Sequence, residues 1–326
     1  MDVFCIIGPT GSGKSYIAHN VAIKLKNVGI DAEIISCDSV QVYKYFDIGT
    51  DKVSKEFRNE VKYHLVDILE PNEGRFSAGE FRKKFDEIVE NITSCGKVGI
   101  LVGGTGLYYK AVKIGIFEGP TADLRIRDKL YKIAQEKGTS FLYEKLLNID
   151  YEYAKKISRN DLKRIVRALE VFEITGMKIS SLHKSLTKPS RFRLYSFLIL
   201  PKRELLYSNI DSRVDKMIQK GLIEEVRYIV DKYGVDIYPL SSIGYKEVVE
   251  YLKGDISFDR MLYLIKRNTR NFAKRQITLF KNTVYDEVVN LDEVSYQTLD
   301  KVVDDIFRKI IGDINYSGIS QILSRE

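Results

Sequence analysis

Cysteine and histidine are scarce, with three of each in 326 residues, and their placement excludes more than their number does. Cys5, Cys37 and Cys95 are odd in count and far apart, and His19, His64 and His183 show no metal-ligand spacing with them. A structural zinc site is therefore excluded. Cys5 and Cys37 lie in apolar strand-like runs and read as buried thiols. No apolar run reaches the roughly 18 residues a membrane-spanning helix requires, so no membrane association is expected. Met1-Asp2-Val3-Phe4 carries no basic n-region, and the expected compartment is the cytoplasm. Acid is missing in two places. Between Lys155 and Arg193 eleven Lys/Arg stand against only Asp161, Glu170 and Glu173, and from Met261 to Lys281 six Lys/Arg stand against none. The first stretch alone exceeds the whole-chain excess of +7. A charge run is commonly a solvated face, but two acid-poor clusters in one chain raise a polyanionic partner, nucleic acid above all.

What is present is a globular composition, 44% hydrophobic and 30% charged, with length for about two structural units. Val3–Ile7, Ala32–Ser36, Val98–Val102 and Leu194–Leu200 read as buried strands. Helices are expected from Lys14 to Lys26 and from Ser77, an N-cap with Glu80 at the capping-box position, to Ser94. This alternation predicts a P-loop-containing α/β fold, a doubly wound parallel sheet with its ligand at the carboxyl ends of the strands. From Asp123 to Leu186 the pattern is helical, an insertion into that sheet. The expected division is residues 1–120 and 191–312 for the α/β core with C-terminal helices, 121–190 for the insertion, and 313–326 for a loose tail. Phe258–Phe280 reads as one amphipathic helix, with Met261, Ile265, Phe272 and Leu279 at helical spacing and Arg267, Arg270 and Lys274 as a basic stripe.

Gly8-Pro9-Thr10-Gly11-Ser12-Gly13-Lys14-Ser15 fits G-x-x-x-x-G-K-[ST] between a strand and a helix. Glycines let backbone N–H groups point at phosphate oxygens, and the helix N-terminus adds favourable partial charge. Lys14 supplies a full charge and the Ser15 hydroxyl a ligand for Mg²⁺. The pattern specifies diphosphate or nucleotide binding of the ATP-site type, not what the diphosphate is attached to. Gly103-Gly104-Thr105-Gly106 forms a second glycine turn whose amides and Thr105 hydroxyl are further phosphate donors. Asp38, ending the second strand, is placed beside the phosphate loop. As a magnesium partner it suits a small-molecule or nucleotide kinase, as a general base a transferase, and as a helix cap neither. A non-enzymatic RNA-binding module is the third reading of the chain.

The phosphate loop, Asp38-Ser39-Val40-Gln41-Val42-Tyr43 with Asp47-Ile48-Gly49-Thr50, and Gly103-Gly104-Thr105-Gly106-Leu107-Tyr108 together resemble the tRNA dimethylallyltransferases, also called tRNA isopentenyltransferases. The resemblance continues through Asn160-Asp161, Arg164, Arg167–Val171, Arg213-Val214-Asp215 with Met217, Gly221–Val226, Ile243–Glu247 and Ala273–Gln276, spanning about residues 3–281. It resembles the bacterial type, without a C-terminal zinc finger. One departure is Leu279, where family members commonly carry Trp. The resemblance implies transfer of a dimethylallyl group from dimethylallyl diphosphate to the exocyclic N6 amine of the adenine immediately 3′ of the anticodon. It implies Asp38 as general base and Thr105 at the reacting region. Lys14, Ser15, the loop amides, Mg²⁺ and Arg213 would balance charge on the diphosphate. Asp38, Ser39, Val40, Gln41, Thr105, Arg127, Asp161, Arg164, Gly244, Tyr245 and Lys246 fall at its tRNA-contacting positions. The implied partners are the tRNA anticodon stem-loop and dimethylallyl diphosphate, with no obligate protein partner, the chain acting as a monomer.

Overall fold

The computed structural model describes residues 2–117 and 119–323. In chain order the elements are β1 (Asp2–Ile7), α1 (Lys14–Asn27), β2 (Ala32–Cys37), α2 (Lys55–Glu60), β3 (Tyr63–His64), α3 (Ala78–Ser94), β4 (Val98–Gly103) and α4 (Gly106–Lys113). Five helices follow: α5 (Leu124–Lys137), α6 (Thr139–Ile149), α7 (Tyr151–Ala154), α8 (Leu162–Thr175) and α9 (Ile179–Leu186). The chain then forms β5 (Arg193–Pro201), α10 (Arg203–Gln219), α11 (Leu222–Tyr233), α12 (Tyr245–Leu252), α13 (Phe258–Lys281), β6 (Glu287–Leu291) and α14 (Tyr296–Leu323).

The four strands read from β-branched runs are present, and two short ones, β3 and β6, join them at the edges of a parallel sheet ordered β3-β2-β4-β1-β5-β6. The edge strands escape the sequence pattern because each is brief and only half-buried. On one face Val21 and Leu25 of α1 pack with Val303, Ile306 and Ile310 of α14, each such fully buried side chain adding roughly 1.5–3 kcal/mol. The helix that starts at Tyr296 runs on to Leu323, through the stretch from residue 313 expected as a tail. Residues 324–326 lie outside the described residues. The capping box at Ser77 and Glu80 is formed as read. No helix among the described residues is long and apolar enough to cross a membrane.

Two compact units result, Met1–Tyr109 with Arg191–Glu326, and Lys110–Ser190. The second begins eleven residues before the expected 121. Its two ends are zipped together, Ile116 bridging Lys188 and the Ser190 amide donating to Val112, so residues 110–120 belong with the helices they lead into. Inside this unit Leu130, Leu142, Leu146, Ile165 and Leu169 share a core of their own. Asp123 N-caps α5 and Asp161 N-caps α8.

Candidate functional site

Parallel register brings the site together. Ile7 of β1 and Cys37 of β2 both pair with Gly103 of β4, so the chain leaves all three strands at one level. Gly8, Asp38 and Gly104 therefore start their loops side by side at the carboxyl end of the sheet. In strand order β4 lies between β2 and β1, and Asp38 still sits beside the phosphate loop as expected, its carboxylate close enough to act on Lys14. The segment after β2 also meets the second glycine turn. The Thr105 hydroxyl accepts from the Ser39 amide at 3.1 Å, and the Thr105 amide donates to the Cys37 carbonyl at 3.1 Å. Gly103 permits this approach: a Cβ there would lie 2.3 Å from the Cys37 carbonyl oxygen.

A cavity of about 320 Å³ opens above these loops. Thr10, Lys14 and Ser15 line it from the phosphate loop, Asp38, Ser39, Val40 and Gln41 from the segment after β2, and Thr105 from the turn after β4. Gly8, Gly11, Ser12 and Gly13 shape the loop without lining the cavity, Ser12 being fully buried. Gly11 and Gly13 take φ near +80°, the left-handed turn that lets the loop wrap before α1 starts at Lys14. Burial first, and the neighbouring Arg213 charge second, lower the Lys14 ammonium to a pKa of about 8, and the Asp38 carboxylate acts against both. Asp38 Oδ1 accepts from the Val40 amide at 2.8 Å and the Gln41 amide at 3.2 Å. No helix starts here, the next being α2 from Lys55, so Asp38 is no helix cap and its one engaged oxygen closes a turn.

Distant segments complete the wall. Arg213 of α10 donates to the Thr10 hydroxyl at 2.5 Å and lies 3.4 Å from Asp51. Gln276 of α13, buried at 5% exposure, accepts from the Thr10 amide at 2.9 Å and donates to the Gly104 carbonyl at 2.8 Å. One amide side chain thereby fastens the two glycine turns to each other. Glu225 of α11 accepts from the amides of Asp47, Ile48 and Gly49 at 2.7–3.2 Å and from the Tyr245 hydroxyl at 2.7 Å. Burial pushes its carboxyl up against the pull of those donors. It holds the loop carrying Gly49, Thr50 and Asp51 against the cavity. Neither role was read from the sequence. The available signal for Gln276 was a polar residue at a core-facing position of an amphipathic helix.

Several expected contacts have internal partners. Gln41 accepts from the Ser36 hydroxyl and donates to the Thr50 carbonyl. Tyr245 is fully buried, a wall of the cavity rather than a surface group, while Gly244 lines the cavity and Lys246 does not. Arg127, Asp161 and Arg164 lie in the second unit. Arg127 forms two hydrogen bonds to the fully buried Glu170, which Arg167 also contacts. Burial alone would raise the Glu170 carboxyl, and the two arginines hold it below its ordinary value. Arg164 is exposed beside Asp161, 3.4 Å away. In α13, Arg270 is paired with Asp211, so the free basic face consists of Arg267, Lys274 and Arg275 rather than the stripe expected. Phe272 sits at the cavity rim, off the buried face of Met261, Leu264, Ile265, Ala273 and Phe280. Leu279 packs on Gly106, where a Cβ would lie 2.1 Å from it.

A phosphate loop, a carboxylate and a threonine converging on one cavity at the carboxyl end of a parallel sheet define a P-loop α/β enzyme acting on a diphosphate. Residues 41–283 match the IPP transferase family. The chain is 41% identical to a tRNA dimethylallyltransferase of Caldanaerobacter subterraneus, over 97% of this chain and 99% of that one. It is 44% identical to one of Carboxydothermus hydrogenoformans, over 92% and 94%. A crystal structure of the tRNA isopentenylpyrophosphate transferase of Bacillus halodurans superposes with a TM-score of 0.69 at 33% identity, covering 98% of this chain and 99% of that one. A eukaryotic dimethylallyltransferase acting on tRNA superposes with a TM-score of 0.75 at 26% identity, covering 90% and 75%. The chain belongs to the tRNA dimethylallyltransferase family and is a transferase. The kinase and binding-module readings fall away.

Proposed function

We propose that this protein transfers a dimethylallyl group from dimethylallyl diphosphate to the N6 amine of the adenine 3′-adjacent to the tRNA anticodon, releasing diphosphate. The observation that carries this reading is the shared level of Asp38, Thr105 and the phosphate loop. It supports a base and a leaving-group site that share one cavity. The N6 lone pair attacks the allylic C1, the C1–O bond breaks, and its electrons pass to the diphosphate. The amine proton goes to Asp38, whose Oδ1 is engaged by two amides and whose Oδ2 is left to receive it. Thr105, oriented by the Ser39 amide, stands between base and diphosphate. Lys14 and Arg213 balance the charge that develops on the leaving group. The adenine must leave the anticodon-loop stack, at a cost of a few kcal/mol. The exposed Arg164, Arg267, Lys274 and Arg275 are suited to hold backbone phosphates.

Mg²⁺ fits this site. The Ser15 hydroxyl is exposed and has no hydrogen bond to the described residues, and no group of three His, Cys, Asp or Glu among them competes for the ion. A hard cation that keeps several waters and takes diphosphate oxygens needs only such a ligand. Bound there, it would supply charge neutralisation of the diphosphate.

The test is incubation of the protein with Mg²⁺, labelled dimethylallyl diphosphate and unmodified tRNA carrying an A-A-A run in the anticodon loop. Label in that adenine is expected. Absence of label, with ATP turnover instead, rejects the reading. Two further outcomes probe the donor site. With Lys14 titrating near 8, KM for the donor should rise as pH increases through about 8, while KM for tRNA stays level. A Lys14→Arg variant should lose that inflection. The same shift has a sign for stability: between about 8 and 10.5 the unfolded chain holds the Lys14 proton and the folded one does not, so this group makes the fold more stable as pH rises. Arg213→Ala should raise the donor KM about 10-fold or more, the loss of one charge-assisted contact. An effect confined to the tRNA KM would contradict the assignment.

A further inference from the structure

The cavity has a direction, set by two helices. At the phosphate-loop end Arg213 of α10 and Gln276 of α13 both hold Thr10. These helices run antiparallel, since Asp211 pairs with Arg270 and Asp215 with Lys266. Away from the loop, α10 presents Val214 and then Met217, while α13 presents Thr269 and then Ile265. The lining therefore passes from cation and amide to apolar within one helical turn, four residues or about 6 Å. The loop at the far end is tightly packed. A Cβ on Gly221, just past α10, would touch Ile48 at 4.0 Å, and one on Gly49 would lie 2.5 Å from the Tyr245 ring. Glu225 locks that loop in place through three backbone amides.

We propose that Met217 is the gauge that sets the length of prenyl chain the enzyme accepts, stopping a five-carbon chain and excluding a ten-carbon one. This rests on the reading that the cavity takes a prenyl diphosphate. With the diphosphate at Lys14 and Arg213, the allylic carbon starts about one helical turn short of Met217. A five-carbon chain spans about that turn. Met217 is 7% exposed and lines the cavity. Its unbranched thioether is an apolar surface that moulds to a chain end. A second isoprene unit would have to enter the space Met217 fills, in a cavity whose wall Gly49 and Tyr245 also line.

The experiment measures kcat/KM for dimethylallyl and geranyl diphosphates with the same tRNA, in wild type, Met217→Ala and Met217→Phe. Met217→Ala should raise the geranyl-to-dimethylallyl ratio roughly 10- to 100-fold, the range one or a few carbon atoms command in an apolar pocket. Met217→Phe should raise the dimethylallyl diphosphate KM about 10-fold or more without moving the tRNA KM. Because the ratio is taken within one variant, partial loss of folding cancels. If Met217→Ala does not fold, Met217→Val is read by the same ratio. An unchanged ratio overturns the gauge. So does an effect on the tRNA KM alone, which would put Met217 against the adenine. Wild type that transfers neither prenyl group to tRNA brings down the functional reading itself, a result distinct from transfer with unaltered chain selectivity.

Discussion

Asp38→Asn is expected to lower kcat by roughly 10²-fold or more, the contribution of a positioned general base, while leaving tRNA affinity in place. The substitution separates two jobs that the wild-type carboxylate performs. An asparagine carbonyl oxygen still accepts from the Val40 and Gln41 amides that Asp38 Oδ1 now holds, so the turn after β2 keeps its shape. What is lost is an oxygen able to take the amine proton. Asp38→Ala removes both, and should add a stability loss of about 0.5–1.5 kcal/mol, that of a lost turn hydrogen bond. Single-turnover kinetics on preformed complexes, with thermal melts alongside, would distinguish the two. Undiminished turnover by the asparagine variant would reject Asp38 as the base and leave it a group that closes a turn.

Gly103→Ala should damage the enzyme about as severely without touching a reacting group. A Cβ at this position meets the carbonyl oxygen of Cys37 at 2.3 Å and its carbon at 2.6 Å. Both are backbone atoms of a central strand and cannot swing aside. β2 and β4 must separate where Asp38 and Thr105 leave the sheet, breaking the Thr105–Cys37 and Ser39–Thr105 hydrogen bonds. A shift near 1 Å between base and leaving-group site is expected to cost on the order of 10²-fold in kcat. Overpacking should cost about 1–3 kcal/mol of stability. Gly99→Ala is the control on the same strand: its Cβ would sit 3.7 Å from Val3, an ordinary contact. It should behave nearly as wild type. Equal behaviour of the two variants, in melts and in turnover, would remove the claim that strand register aligns the site.

The contrast between these two glycines measures how far sequence reading reaches. Gly103 reads as the start of a glycine turn and Gly99 as part of a strand, but only the register of β4 against β2 shows which of them faces the Cys37 carbonyl. Gln276 and Arg275 are adjacent in a basic segment, yet one is buried between the glycine turns and the other lies on the solvent face. The phase of α13 makes that division. Arg127 and Arg270 read as free cations because their acidic partners, Glu170 and Asp211, are 43 and 59 residues away. The boundary at 110 was invisible because the bridge between Ile116 and Lys188 joins residues on either side of the whole insertion.

The sequence by itself determined the local features of this protein. These are the phosphate loop from Gly8 to Ser15, the helix α1 that it opens, the strands β1, β2, β4 and β5, the cap at Ser77, and a pattern of motifs that names the family. Each depends on residues within a turn or two of one another, where glycine conformation, capping and side-chain periodicity act directly. Only the tertiary structure decided that the Ser39 amide, next to Asp38, donates to the Thr105 hydroxyl. It alone placed Arg213 and Gln276 on Thr10 and set Met217 one turn beyond them. Those placements follow from parallel strand pairing and antiparallel helix packing between segments as many as 266 residues apart. Burial of the whole core, not any local preference, selects them.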